Sequence, residues 1–228
     1  MKNLFILALL FSSFKSVAQF KFLANNCSNQ YKAKIFVAEC DNGLCEGMST
    51  IILYDKISDK ELETFHSADL DFSLTDKQDA RIGWLELGKY QSPLIFGDFN
   101  FDGKEDMAIR NGSNGAYMSP SYDIYLSVGN NKFLANKELT TLASENLGMF
   151  EFDQKTKWLT IEQKDGCCYH KTINYSIDVR NKITEVSSVI EDSSVGNVVT
   201  VITQKKVGAR MIKTVQRFKT EEYYKNDQ

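Results

Sequence analysis

Proline and histidine are nearly missing from this chain, with two of each in 228 residues. Pro93 and Pro120 form no proline-rich linker, and no low-complexity stretch marks a domain boundary. With only His66 and His170, a Ser-His-Asp set has few ways to assemble. A His-Glu-x-x-His motif, a phosphate-cradling glycine loop and a dinucleotide fingerprint are also lacking. Nothing singles out a carboxylate pair for glycosidase work. These absences argue against an enzyme. Beyond residue 19 no apolar run approaches the roughly 20 residues that a membrane-spanning helix requires. Basic residues form no cluster in the sequence, and the net charge is −3, which disfavours nucleic acid and anionic membrane surfaces as partners.

What is present begins with a short export signal. Residues 1–18 carry Lys2, an apolar run from Leu4 to Phe14 and the small residues Ser16-Val17-Ala18. That order predicts a secretory signal peptide cleaved after Ala18, leaving 19–228 as a single mature domain. No cysteine follows the run at the position where lipid attachment would need one. The expected product is exported, periplasmic or secreted, with no membrane span.

The mature part reads as β structure. Lys32–Ala38, Thr50–Tyr54, Ile82–Leu87, Tyr122–Val128 and Met149–Phe152 are alternating or β-branched runs. Trp158–Gln163, Tyr169–Val179, Ile183–Ile190, Val198–Lys205 and Ala209–Phe218 continue the pattern. Turn signals such as Asp41-Asn-Gly43, Gly129-Asn-Asn131 and Val195-Gly-Asn197 separate them. In Tyr122–Val128 the period of two puts Tyr122, Ile124, Leu126 and Val128 on one face. One short helix is expected over Asn136–Asn146, with Asn136 as its N-cap. The fold class is all-β: an antiparallel sandwich or a propeller-like β domain with one short helix and a calcium loop.

Five cysteines lie in the exported part, where disulfides persist. Cys40 and Cys45 flank a turn at Asn42-Gly43 and are expected to bridge. Cys167 and Cys168 either bridge each other or leave one to pair with Cys27. The neighbouring His170 suggests zinc only weakly, because adjacent cysteines in an oxidising compartment favour disulfides and zinc needs further ligands.

The segment Asp98-Phe-Asn100-Phe-Asp102-Gly103-Lys104-Glu-Asp106 carries the most chemistry. Calcium takes six to eight oxygens, and acceptors at alternate positions converge when a loop coils tightly around a glycine. Asp98, Asn100 and Asp102 supply side chains, Lys104 a carbonyl, and Asp106 a closing carboxylate. An EF-hand would place a bidentate Glu where Ile109 stands, so the loop leads into a strand rather than a helix.

Phe96 to Ile109, read with this loop, resembles the calcium loop of FG-GAP or VCBS repeats. A narrower resemblance runs along most of the mature chain. It is carried by Cys40 to Cys45, Gln91-Ser-Pro-Leu-Ile-Phe96, the calcium loop, Asn111-Gly-Ser-Asn-Gly115, Pro120-Ser-Tyr-Asp-Ile-Tyr125 and Gly166-Cys-Cys-Tyr-His170. These segments are similar to a family of exported bacterial proteins whose characterised members are periplasmic immunity proteins. The resemblance implies inhibition of a lysozyme-like, peptidoglycan-cleaving effector delivered by a type IV secretion system. Lysozyme inhibitors of that kind insert a Ser-Gly-x-Tyr loop into the target's cleft. Ser113-Asn-Gly-Ala-Tyr117 keeps Gly115 and Tyr117 at the matching spacing, with Asn114 at the Ser position. By that resemblance Ser113, Gly115, Tyr117 and Tyr122 are the expected partner-binding residues. Calcium is expected to stiffen the loop before them. The alternative is a secreted structural or adhesion module in which calcium only stabilises the fold.

Overall fold

Alternation of apolar and polar residues builds three antiparallel sheets, none of them closed into a barrel. They are seen in a computed structural model, which describes residues 20–25, 27–74 and 92–226. The expected signal peptide, the strand expected at 82–87 and Gln91 lie outside the described residues. Among the described residues no helix is long and apolar enough to cross a membrane.

The first sheet follows chain order: β1 (Phe20–Ala24), β2 (Tyr31–Asp41), β3 (Leu44–Asp55) and β4 (Glu61–Ser73). The second holds β5 (Leu94–Gly97), β6 (Asp106–Arg110), β7 (Tyr122–Gly129) and β8 (Lys132–Ala135). The third is six-stranded and built from β9 (Glu151–Asp153), β10 (Trp158–Asp165), β11 (Tyr169–Ile177), β12 (Ile183–Asp192), β13 (Val198–Val207) and β14 (Arg210–Lys219).

The second sheet is the middle layer, because its two faces feed two cores. Leu94, Met107, Ile109 and Phe133 pack with Ile35, Ile51, Leu53 and Phe72 of the first sheet. Ile95, Ala108, Ile124 and Leu126 pack with Leu159, Ile161 and Ile173 of the third. Every residue of β6 is buried, as expected of a strand covered on both faces.

Helix α1 (Lys137–Ser144) seals the second core with Leu139, Leu142 and Ala143. The Asn136 side chain accepts from the Leu139 N–H at 2.9 Å and caps the helix as expected. The Ile124 N–H donates to the Thr140 hydroxyl at 2.9 Å, so the helix satisfies an amide that β8 is too short to reach. The short α2 (Thr220–Tyr223) folds back over β13 and β14.

The Cys40–Cys45 bridge joins paired residues of β2 and β3. Asn42 and Gly43 both adopt positive φ in the turn it closes. Cys167 and Cys168 bridge each other, which leaves Cys27 free.

Candidate functional site

The loop Asp98–Asp106 joins β5 to β6 and is anchored by its own aromatic residue. Phe99 is fully buried and stands edge-on to Phe150 and Phe152, with centroids 5.6 and 5.1 Å away. The Phe152 ring leaves no room at Gly97, where an added Cβ would lie 2.3 Å from it. Two polar contacts tie the loop to the third sheet and its turns. Gln154 donates to the Asp98 carbonyl at 2.8 Å, and the Asn100 amide donates to Asn181 at 3.1 Å.

Inside the loop the acceptors curl over the backbone. Asp98 accepts from the amides of Asp102 and Gly103, both at 2.9 Å, and Asn100 accepts from the Asp102 amide at 3.2 Å. Gly103 makes the turn with φ +88°. Asp102 accepts from the amide and the ammonium of Lys104. Asp106 is fully buried and accepts from the amides of Phe99 and Ser127, both at 2.8 Å. Burial pushes its carboxyl up to about 7, against the lowering effect of those two amides.

The donor set is rich in oxygen, the ligand type that a hard cation takes. The Lys104 ammonium feels Asp102 first, then Asp106 and Asp98, so one positive charge already serves all three carboxylates. Asp102 turns toward Lys104 and Asp106 toward the core. Among the described residues no three His, Cys, Asp or Glu side chains gather as a metal-holding group.

The second candidate region, residues 111–121, leaves from the other end of β6. That strand has five residues, so the two loops start roughly 13 Å apart at about 3.3 Å per residue. The two loops flank β6, so any stiffening of the tyrosine loop by calcium has to pass through that strand.

Local contacts shape the tyrosine loop. Ser113 accepts from the Arg110 guanidinium at 3.1 Å, and Arg110 pairs with Asp71 at 2.9 Å. Gly115 sits where a Cβ would come within 2.7 Å of the Asn146 carbonyl and 2.8 Å of the Ser119 carbonyl. The Ala116 N–H donates to that Asn146 carbonyl at 3.0 Å. The chain then turns through two consecutive left-handed residues, Tyr117 (φ 56°) and Met118 (φ 59°). Non-glycine residues rarely adopt this conformation, so the turn holds both side chains outward at a conformational cost. Tyr117 is 57% exposed and Met118 81% exposed.

A hairpin turn from the third sheet braces Tyr117. The Tyr117 hydroxyl accepts from the Gly166 N–H at 2.6 Å, and the Lys164 ammonium lies 4.4 Å from the centroid of its ring. The Cys167–Cys168 bridge follows directly in the same turn. Lys164 and the Gly166 amide were not legible as partners of Tyr117, because the contacts join residues nearly 50 positions apart.

Tyr122 behaves differently from its expected role. It is fully buried in the second core, and its hydroxyl has no hydrogen-bond partner. Burial pushes that hydroxyl far up from its ordinary range. The strand alternation that makes Tyr122 a core residue removes it from the partner-binding set. Ser113 and Gly115 serve as local supports, leaving Tyr117 as the exposed member.

The histidines sit on the surface, with His66 facing the Thr50 hydroxyl and His170 facing the Cys167 carbonyl, both at 3.3 Å.

No family model matches the chain, and no curated protein matches it. Among solved structures, a Xanthomonas type IV secretion system related protein matches with a TM-score of 0.64 and 18% identity. The match covers 88% of this chain and 94% of that chain. At this identity the likeness shows a shared fold.

Proposed function

We propose that this is an exported calcium-binding protein that inhibits a lysozyme-like peptidoglycan hydrolase, with Tyr117 as the inserted residue. The observation that carries the reading is the outward, braced turn at Tyr117 and Met118. A tyrosine held in one orientation loses little freedom on binding and offers apolar area with a polar tip. Lys164 beside its ring adds a positive charge. Glycosidase clefts carry a pair of carboxylates, so a Tyr–Lys plug complements such a cleft in shape and charge. The type IV secretion context of the solved relative and the sequence resemblance to immunity proteins support the same reading.

Calcium has a structural role in this proposal. Asp98, Asn100, Asp102 and the Lys104 carbonyl would hold it, with Asp106 closing the site from β6. When bound, the ion neutralises the loop's acidic groups. Phe99, Gln154 and Asn181 couple the loop to the second core and the third sheet.

The test is lysis of cell walls by a panel of lysozyme-type hydrolases, with purified residues 19–228 added. Saturable one-to-one inhibition is expected, weakened by Tyr117→Ala at least about 30-fold if Tyr117 is a hot spot. Inhibition indifferent to Tyr117→Ala would move the site elsewhere. No inhibition across the panel would overturn the reading.

A further inference from the structure

The C-terminal hairpin of the third sheet carries a charge pattern unlike the rest of the chain. Strands β13 and β14 hold Lys205, Lys206, Arg210, Lys213, Arg217 and Lys219 and no acidic residue. They therefore take six of the 27 basic residues and none of the 30 acidic ones. In sequence these bases never run longer than two. The hairpin brings them onto two paired strands and sets each opposite an uncharged residue, Lys205 across from Ile212, Lys213 from Gln204 and Lys219 from Val198, so no acidic side chain in β13 or β14 offsets them. The expectation of no basic cluster is corrected accordingly.

Strand β14 forms the sheet edge, and among the described residues no segment pairs with its outer side. All ten of its residues are exposed. Apolar and basic side chains alternate on one of its faces, through Met211, Lys213, Val215 and Arg217, while the other carries Arg210, Ile212, Thr214, Gln216 and Phe218. Its pairing with β13 is unbroken by any bulge, so the outer backbone groups run as one extended row. The chain after it does not turn along this edge. Tyr223 crosses the sheet, stacking near Phe218 and donating to Glu191 of β12 at 2.7 Å.

We infer that β14 is a docking edge for an extended acidic segment of a partner protein, which adds to the sheet as a seventh strand. Unpaired backbone groups give the general affinity of strand addition, and the alternating side chains select its sequence. Like charges oppose a second copy of the same strand, whereas glutamate or aspartate at alternate positions complements the lysines and arginines. A flexible polyanion without a strand-forming backbone satisfies the charges but leaves the edge unpaired. The edge is independent of the Tyr117 turn, so failure of either reading leaves the other standing.

The probe is a ten-residue peptide of alternating glutamate and valine, titrated into the whole protein and read by fluorescence polarisation. Amide hydrogen exchange of β14 is followed in parallel. Saturable binding is expected, with slowed exchange in β14. The double variant Lys213→Glu/Arg217→Glu should bind about tenfold or more weakly. An N-methylated version of the peptide, which cannot pair along its backbone, should lose binding to a similar extent. Equal binding by the N-methylated peptide, or by heparin at matched charge, would reduce the edge to a polyanion patch and overturn the proposal. Sedimentation showing a dimer that the double variant dissolves would assign the edge to a second copy and overturn it equally.

Discussion

The Tyr117 hydroxyl and the Gly166 N–H meet at 2.6 Å across 49 positions of sequence, joining the loop after β6 to a turn of the third sheet. The contact fixes where the exposed ring points, and Lys164 on the ring face reinforces it. Tyr117→Phe removes the hydroxyl but keeps the ring and its cation contact. It should weaken hydrolase inhibition less than Tyr117→Ala does, while both variants melt close to the parent protein because the residue is exposed. Equal losses for the two variants would place the energy in the hydroxyl instead of the ring.

Met118 allows stability and binding to be separated. Its φ of +59° is unfavourable for a side chain that is 81% exposed, and glycine takes this conformation without penalty. Met118→Gly should leave the folded state unchanged or stabilise it by up to about 1 kcal/mol. The same variant should weaken inhibition, because the outward apolar side chain is lost. A destabilised Met118→Gly protein would show that the methionine packs against its own domain.

Calcium should act on stability and leave the Tyr117 surface intact. A ligand at a hundred times its Kd adds about 2.7 kcal/mol, which raises Tm by several degrees in a domain of this size. Calcium is expected to produce such a shift in the parent protein, chelator to reverse it, and Asp102→Ala to abolish it. Because the two loops leave opposite ends of β6, inhibition measured well below Tm should persist in chelator. Identical melting curves with calcium and chelator would refute the metal site.

The fold was legible wherever local chemistry decides it, and the site was legible only in part. Alternation puts Tyr122, Ile124 and Leu126 on one face as expected, and the structure turns that face into the core, Tyr122 included. Val128 breaks the series and is 51% exposed, because a bulge between Ser127 and Gly129 shifts the register before the hairpin turn. Asn136 announced the helix through its capping chemistry, and Asn42-Gly43 announced the Cys40–Cys45 hairpin. The brace on Tyr117 and the basic edge of β14 depend on which strands come together, and no single segment encodes them.

The same alternation yields a prediction for Tyr122, whose hydroxyl is buried beside Arg110 and Asp71 without a partner of its own. An unsatisfied buried hydroxyl costs free energy that phenylalanine avoids. Tyr122→Phe should therefore be neutral or stabilising in urea unfolding, and it should inhibit the hydrolase as well as the parent does. A loss of about 2 kcal/mol or more, the cost of removing a buried hydrogen bond, would reveal a bridging water on that hydroxyl. A loss of inhibition without a loss of stability would return Tyr122 to the partner surface.

Cys27 is the one unbridged thiol among the described residues, and its reactivity follows from its surroundings. Burial pushes it up to about 11, and its sulfur lies 3.4 Å from the Ala24 carbonyl against the first core. At pH 8 about one molecule in a thousand then carries the reactive thiolate. Labelling of the native protein with a thiol reagent should be slow at pH 8 and rise about tenfold per pH unit toward 11. Unfolding in urea should make it fast at once, since the exposed thiol returns to its ordinary range. The same burial should keep the protein free of Cys27-linked dimers in air, as read on a non-reducing gel. Rapid stoichiometric labelling of the folded protein at pH 8 would show that this thiol is open to solvent and available for pairing.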